Sequence, residues 1–113
     1  MAEDGGGVVL RPSGDLDLAT VEAFRLSVQT ALVDEPAALV IDLTDVDFLD
    51  SSGIAVLAVA LRTQRARGAL IAATNPQSIV RRALELVGLD LLFDVSEIPA
   101  ALLEEAAAGA HHR

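Results

Sequence analysis

The chain has no cysteine and no lysine. Without cysteine there is no disulfide frame, no thiol nucleophile and no thiolate metal site. Basic residues, all arginine, number 8 against 17 acidic ones, for a formal net charge of -9. Nucleic acid held through its phosphates requires the opposite sign, and so does an anionic lipid surface; neither partner is expected. The longest apolar run, from Ile54 to Leu61, is far below the roughly 20 residues that membrane insertion demands. The acidic, glycine-rich start lacks the basic segment and apolar stretch of a secretory signal, so a cytoplasmic location is expected. There is no GxxxxGK[ST] loop and no GxGxxG run between a strand and a helix. The histidines, His111 and His112, lie in the terminal tail, where a metal site or serine–histidine pair lacks a rigid support.

What remains is sufficient for one folded domain. The 113 residues are 52% hydrophobic and 22% charged, too apolar for disorder and within the range of a single core. A chain of this size buries roughly 65% of its unfolded surface and needs no covalent staples. Residues 1–7 read as a flexible lead, 8–108 as the domain and 109–113 as a frayed tail.

Val8-Val9-Leu10 reads as a strand, and Gly14-Asp15-Leu16-Asp17 as a second short strand or turn. From Leu18 the period changes: Leu18, Val21, Phe24, Val28 and Leu32 form the apolar stripe of a helix, with Asp17 as its N-cap. Leu39 to Leu43 is β-branched and apolar on both faces, which suits a central strand. A loop from Thr44 to Asp50 leads to a helix over about Ser52–Arg65, apolar nearly all round in its first half and stopped by Gly68. Ala69 to Ala73 is another buried strand. Asn75-Pro76 predicts a helix start with proline at the first position, an inner stripe of Ile79, Ala83, Leu86 and Val87, and a stop at Gly88. Leu91 to Val95 reads as a last strand before Pro99 and an alanine-rich helix in which Leu102, Leu103 and Ala106 pack. Such alternation predicts an α/β domain: a mixed sheet with a parallel centre and about four helices.

Carboxylates crowd the strand ends at Asp15, Asp17, Asp42, Asp45, Asp47 and Asp50. Three readings compete: capping and turn-making, a magnesium site of hard oxygen ligands, and a strand-borne nucleophile. Asp42-Leu43-Thr44 matches half of the DxD of haloacid-dehalogenase phosphatases, with Thr44 in place of the second acid. No lysine is present to neutralise a transferred phosphoryl group. Asp50-Ser51-Ser52-Gly53 opens a helix, so Ser51 or Ser52 is the natural N-cap. A hydroxyl there also tolerates a phosphate, because free N–H groups and the positive dipole end favour an anion.

Val40-Ile41-Asp42-Leu43-Thr44-Asp45-Val46-Asp47-Phe48-Leu49-Asp50-Ser51-Ser52-Gly53-Ile54-Ala55-Val56-Leu57 resembles the central signature of STAS domains, specifically the stand-alone bacterial anti-sigma factor antagonists. Gly14-Asp15-Leu16-Asp17-Leu18-Ala19-Thr20 is similar to the family's acidic turn before its first helix. Asn75-Pro76, then Val80 to Asp90 and Phe93, resembles its C-terminal segment. The resemblance implies a regulator, not an enzyme, with no cofactor of its own. Its partners would be an anti-sigma factor that is a serine kinase, whose sequestration frees a sigma factor, and a phosphatase that resets the cycle. It implies phosphorylation at Ser51, with Ser52 the second choice, and a docking surface of Asp15, Asp17, Asp50, Ser51, Ser52, Gly53 and Ile54. STAS domains also serve as binding subunits of lipid-transport or stress-sensing assemblies without a phosphorylation cycle, which is the alternative.

Overall fold

The structure of the chain, a computed structural model, describes residues 7–110. Its centre is β3 (Ala38–Asp42), every residue of which is buried. β3 pairs in parallel with β1 (Gly7–Leu10) on one side and β5 (Leu70–Thr74) on the other. The two-residue alternation of a strand divides the β3 side chains between two cores. Leu39 and Ile41 enter the larger core with Phe24, Val28, Leu57, Ala60 and Val80. Ala38 and Val40 enter the smaller one with Ala72, Ile98, Leu102 and Ala106. Leu39, Val40 and Ile41 are fully buried, each worth roughly 1.5–3 kcal/mol against exposure. The larger core is covered by α1 (Val21–Val33), α2 (Ser51–Ala66) and α3 (Ser78–Leu86). The smaller is covered by α4 (Ala100–Ala110). The α/β class, the parallel centre and the four helices are as the sequence implies.

Several elements differ from the sequence reading. The expected loop 44–50 contains a strand, β4 (Val46–Leu49), which pairs in parallel with β2 (Gly14–Leu16) as a separate two-stranded sheet. The first helix begins at Val21, not Leu18, and Leu18 is 81% exposed. The reason is local: Asp17 Oδ1 accepts from the N–H groups of Ala19 (2.9 Å) and Thr20 (3.1 Å). That closes a turn which points Leu18 away from the stripe. α2 is not buried all round, since Ala55 and Val59 are exposed; small apolar residues let a helix expose one face at little cost.

The third helix starts at Ser78 rather than Pro76, because Asn75 takes a left-handed backbone (φ 58°) that ends β5. Its inner stripe is Val80 and Leu84, one residue on from Ile79 and Ala83, and Leu86 is 75% exposed. Leu91–Val95 is not a strand: Asp90–Phe93 forms a 3-10 helix that drives Leu92 into the core. At the ends, Gly7 already belongs to β1, and a Cβ there would fall 2.6 Å from Leu102 of α4. The histidines and Arg113 lie outside the described residues.

Candidate functional site

The parallel pairing of β2 with β4 builds the site. Leu16 and Leu49 are register partners at the ends of the two strands, so the next residues, Asp17 and Asp50, emerge side by side at about the 4.8 Å spacing of neighbouring strands. The Asp50 N–H donates to the Leu16 carbonyl at 3.2 Å, continuing the ladder one step beyond the strands. Asp15 pairs across from Phe48, and both are exposed. Two strand ends thus place Asp17 and Asp50 side by side at the start of α2, while Asp15 and Phe48 project from the face opposite Leu16 and Leu49.

The chain then turns directly into that helix. Asp50 is the N-cap, with extended backbone (φ -105°, ψ -170°), and its Oδ1 accepts from the Ser52 N–H at 2.8 Å. This corrects the expectation that Ser51 or Ser52 caps the helix. All three residues are good caps, and Asp50 takes the position because β4 ends one residue before it. Ser51 becomes the first helical residue, exposed to solvent, while Ser52 is half-buried. The first-turn bond uses the backbone N–H of Ser52, not its hydroxyl.

Gly53 is buried beneath this turn. A Cβ at this position would lie 2.5 Å from Leu49 Cδ1, 2.9 Å from the Leu16 carbonyl oxygen and 3.0 Å from Leu16 Cβ. Glycine is therefore what lets the start of α2 pack against Leu16 of β2 and Leu49 of β4. Ile54 is half-buried and packs on the larger core. Of the residues singled out in the sequence, Asp17, Asp50 and Ser51 meet where β2 and β4 end and α2 begins, with half-buried Ser52 next to them; Asp15 projects from the other face of the strand pair, and Gly53 and Ile54 lie beneath the turn.

Further residues hold this region without having been singled out individually in the sequence. Gln77 Nε2 donates to the Thr44 carbonyl (3.1 Å) and to Asp47 Oδ1 (3.2 Å), tying the β3–β4 connection to the segment before α3. Thr20 Oγ1 donates to the Asp15 carbonyl at 2.5 Å and so fixes the acidic turn. The two Gln77 bonds depend on tertiary placement, whereas the Thr20 bond is local to the turn.

Asp42 has a different role from the one a nucleophile requires. It is 3% exposed. Its Oδ1 accepts from the Thr44 N–H (3.1 Å) and Thr44 Oγ1 (2.6 Å), and Arg11 Nε lies 3.8 Å from Oδ2. Arg11 in turn donates to the Glu105 carbonyl of α4 at 2.6 Å. The carboxylate is closed to a phosphoester and serves to join β1, β3 and α4. Among the described residues no group of three or more acidic or histidine side chains is arranged to hold a metal ion, and no helix is long and apolar enough to cross a membrane.

The same architecture and related sequences occur in known proteins. The sequence pattern of the STAS domain matches residues 1–102. The anti-sigma-F factor antagonist RsfB of Mycobacterium tuberculosis is 36% identical over 93 residues, which cover 82% of this chain and 75% of that protein. Among solved structures, the unphosphorylated anti-sigma factor antagonist SpoIIAA superposes with a TM-score of 0.72 at 25% identity, covering all of this chain and 95% of its own. An anti-sigma factor antagonist from Mycobacterium paratuberculosis gives 0.69 at 31% identity, over 95% and 90% of the two chains.

Proposed function

The chain belongs to the STAS domain family, and from that premise we propose that it is an anti-sigma factor antagonist switched by phosphorylation of Ser51. It acts in the cytoplasm as a regulator and not as an enzyme. Its partner is an anti-sigma factor with serine-kinase activity; binding that partner frees a sigma factor. Phosphorylation ends the binding, and a phosphatase restores it. The observation that carries this reading is the position of Ser51: exposed, first in α2, with Asp17 and Asp50 beside it.

Physical magnitudes support a switch that leaves the scaffold intact. A phosphate adds about -1.5 to -2 charges. At the start of α2 the helix dipole favours it by about 0.3–1 kcal/mol. Repulsion from a carboxylate ~7 Å away costs about 0.6 kcal/mol per unit charge in water, or about 1 kcal/mol for the whole phosphate. With two carboxylates beside Ser51 the repulsion exceeds the dipole gain by about 1–2 kcal/mol, which a folded domain tolerates. For a partner the cost is larger: packing against Ser51 would mean desolvating the phosphate, a penalty of several kcal/mol. Binding therefore changes more than stability does.

The test is to incubate the chain with its anti-sigma factor and ATP and to map the modified residue by mass spectrometry. One phosphate at Ser51, absent from Ser51→Ala, is the expected result. Stoichiometric labelling of Ser51→Ala would refute the assignment. Affinity purification that returned transporter or stress-complex subunits, with no anti-sigma factor, would instead favour the role of an unswitched binding subunit.

A further inference from the structure

α2 presents one face to solvent along its whole length. Ser51, Ala55, Val59 and Arg62 follow one another at steps of four, four and three residues, which puts them on that face, and all four are exposed. Arg65, also exposed, lies nearly one turn further on. The face is acidic at its start, where Asp17 and Asp50 stand beside Ser51, and basic at its end. Arg62 and Arg65 have no hydrogen-bond or ion-pair partner among the described residues. Between the charged ends the surface is apolar, and Val59 is 47% exposed.

Such a face is complementary to itself. A two-fold contact requires that one residue meet a second on the other copy, and the reverse. Ser51 and Arg62 are separated by about 16.5 Å along the helix at a rise of roughly 1.5 Å per residue. If two α2 helices lie antiparallel with the axis midway between these positions, each Ser51 stands level with the other copy's Arg62, and Arg65 lies just beyond. Ala55, Ala58 and Val59 straddle the midpoint, and side chains this small let helix axes approach to the near end of the usual spacing of roughly 8–10 Å. Without modification the acidic end has little to offer, because Asp17 Oδ1 and Asp50 Oδ1 already accept N–H groups of their own turns. A phosphate on Ser51 adds three acceptor oxygens and about -1.5 to -2 charges, and guanidinium groups bind phosphate bidentately. The desolvation that opposes docking of a surface without cations is here offset by two arginines. Repulsion between two acidic copies is weak at this range, since the Debye length is about 8 Å at physiological ionic strength.

We propose that the chain phosphorylated at Ser51 pairs with a second copy of itself through antiparallel α2 helices, each phosphate held by the other copy's Arg62 and Arg65. Ala55 and Val59 form the apolar centre of the contact. The pairing covers Ser51 in both copies, so it competes with every other partner for that surface. The proposal rests on Ser51 as the modified residue. Phosphoserine installed at position 51 during synthesis separates the two questions: labelling of another residue by the kinase would refute that assignment, whereas sedimentation reads the pairing alone.

The experiment is sedimentation velocity of the unmodified chain and of the chain carrying phosphoserine at position 51, over a range of concentrations, with circular dichroism as the check on folding. Phosphorylation should tighten self-association about a hundredfold, tenfold for each of two symmetry-related contacts. At about 50 μM the phosphorylated chain should then sediment as a dimer with a Kd of about 10 μM, and the unmodified chain as a monomer. Raising the salt from about 0.1 M to about 0.5 M should weaken the dimer, because its contacts are ionic. In the phosphorylated chain, Arg62→Gln with Arg65→Gln should return the association to that of the unmodified protein. Val59→Glu, which places like charges near the two-fold axis, should do the same. All three positions are exposed, so the fold should be retained. The proposal is overturned if the phosphorylated chain sediments as a monomer, if it forms assemblies larger than a dimer, or if the dimer persists in folded Arg62→Gln/Arg65→Gln.

Discussion

Replacing Gly53 with alanine sets two effects against each other at the helix that carries Ser51. Alanine in place of glycine in a helix interior is worth about 1 kcal/mol on propensity alone, and Gly53 has no positive φ to penalise the change. Propensity therefore expects a more stable protein. The packing opposes this, because the new methyl would fall 2.5 Å from Leu49 Cδ1 and 2.9 Å from the Leu16 carbonyl oxygen. Leu49 can rotate, but a backbone oxygen in a paired strand cannot, so α2 must move away from β2. Overpacking of this kind costs typically 1–3 kcal/mol, leaving a net loss of about 1 kcal/mol after the propensity gain. In urea unfolding, with a slope of about 2 kcal/mol per molar for a small domain, the midpoint should fall by about 0.5 M. The same displacement should slow phosphorylation of Ser51 by separating it from the acidic turn. A midpoint equal to or above that of the unsubstituted chain would refute the close-packing argument.

Other perturbations test other contacts. Asp50→Ala removes the cap of α2 and should cost about 1 kcal/mol, whereas Asp50→Ser, which preserves an acceptor, should cost little; thermal unfolding compares them. Gln64 is fully buried and donates to the Pro36 carbonyl (3.0 Å) and the Leu70 carbonyl (2.9 Å). Gln64→Leu strands both acceptors and should destabilise by about 1–3 kcal/mol, read by denaturant unfolding. Asp94 Oδ1 accepts from the Ser96 N–H at 2.9 Å, and these bonds from Ser96 hold its pKa below the ordinary carboxylate value. Its contribution to stability is thus present above the unfolded-state pKa and lost as pH falls through the lower folded-state value. NMR titration should find Asp94 below 3.8, and Asp94→Asn should flatten stability over that acid range.

How much was legible in the sequence follows from how local each cause is. β3 and β5 are apolar on both faces, and Gly88 ends its helix by backbone geometry alone (φ 79°); these were readable. β4 was not, because Val46-Asp47-Phe48-Leu49 has the composition of an acidic loop. It becomes a strand by pairing with β2, a partner about thirty residues away whose proximity is set by tertiary structure. Leu91–Phe93 is a short apolar run, which periodicity cannot assign between strand and helix. The shift of the α3 stripe from Ile79 to Val80 follows from Asn75, whose left-handed backbone moved the helix start by two residues. At the site, Asp-Ser-Ser offers three good caps in a row, and only the end of β4 selects Asp50. Asp17 and Asp50 are far apart in the sequence, and only the β2–β4 register joins their two segments. The support from Gln77 left no trace in the sequence, since its bonds bridge residues about thirty positions apart that only the fold brings together.

The most direct measurement is calorimetric titration of the anti-sigma factor with two preparations of this chain, one unmodified and one fully phosphorylated at Ser51, each checked by circular dichroism. The unmodified chain should bind, and the phosphorylated chain should bind at least about tenfold more weakly with an unchanged spectrum. Equal affinity of the two preparations, or loss of binding accompanied by loss of helical signal, would contradict a charge switch on a fixed scaffold.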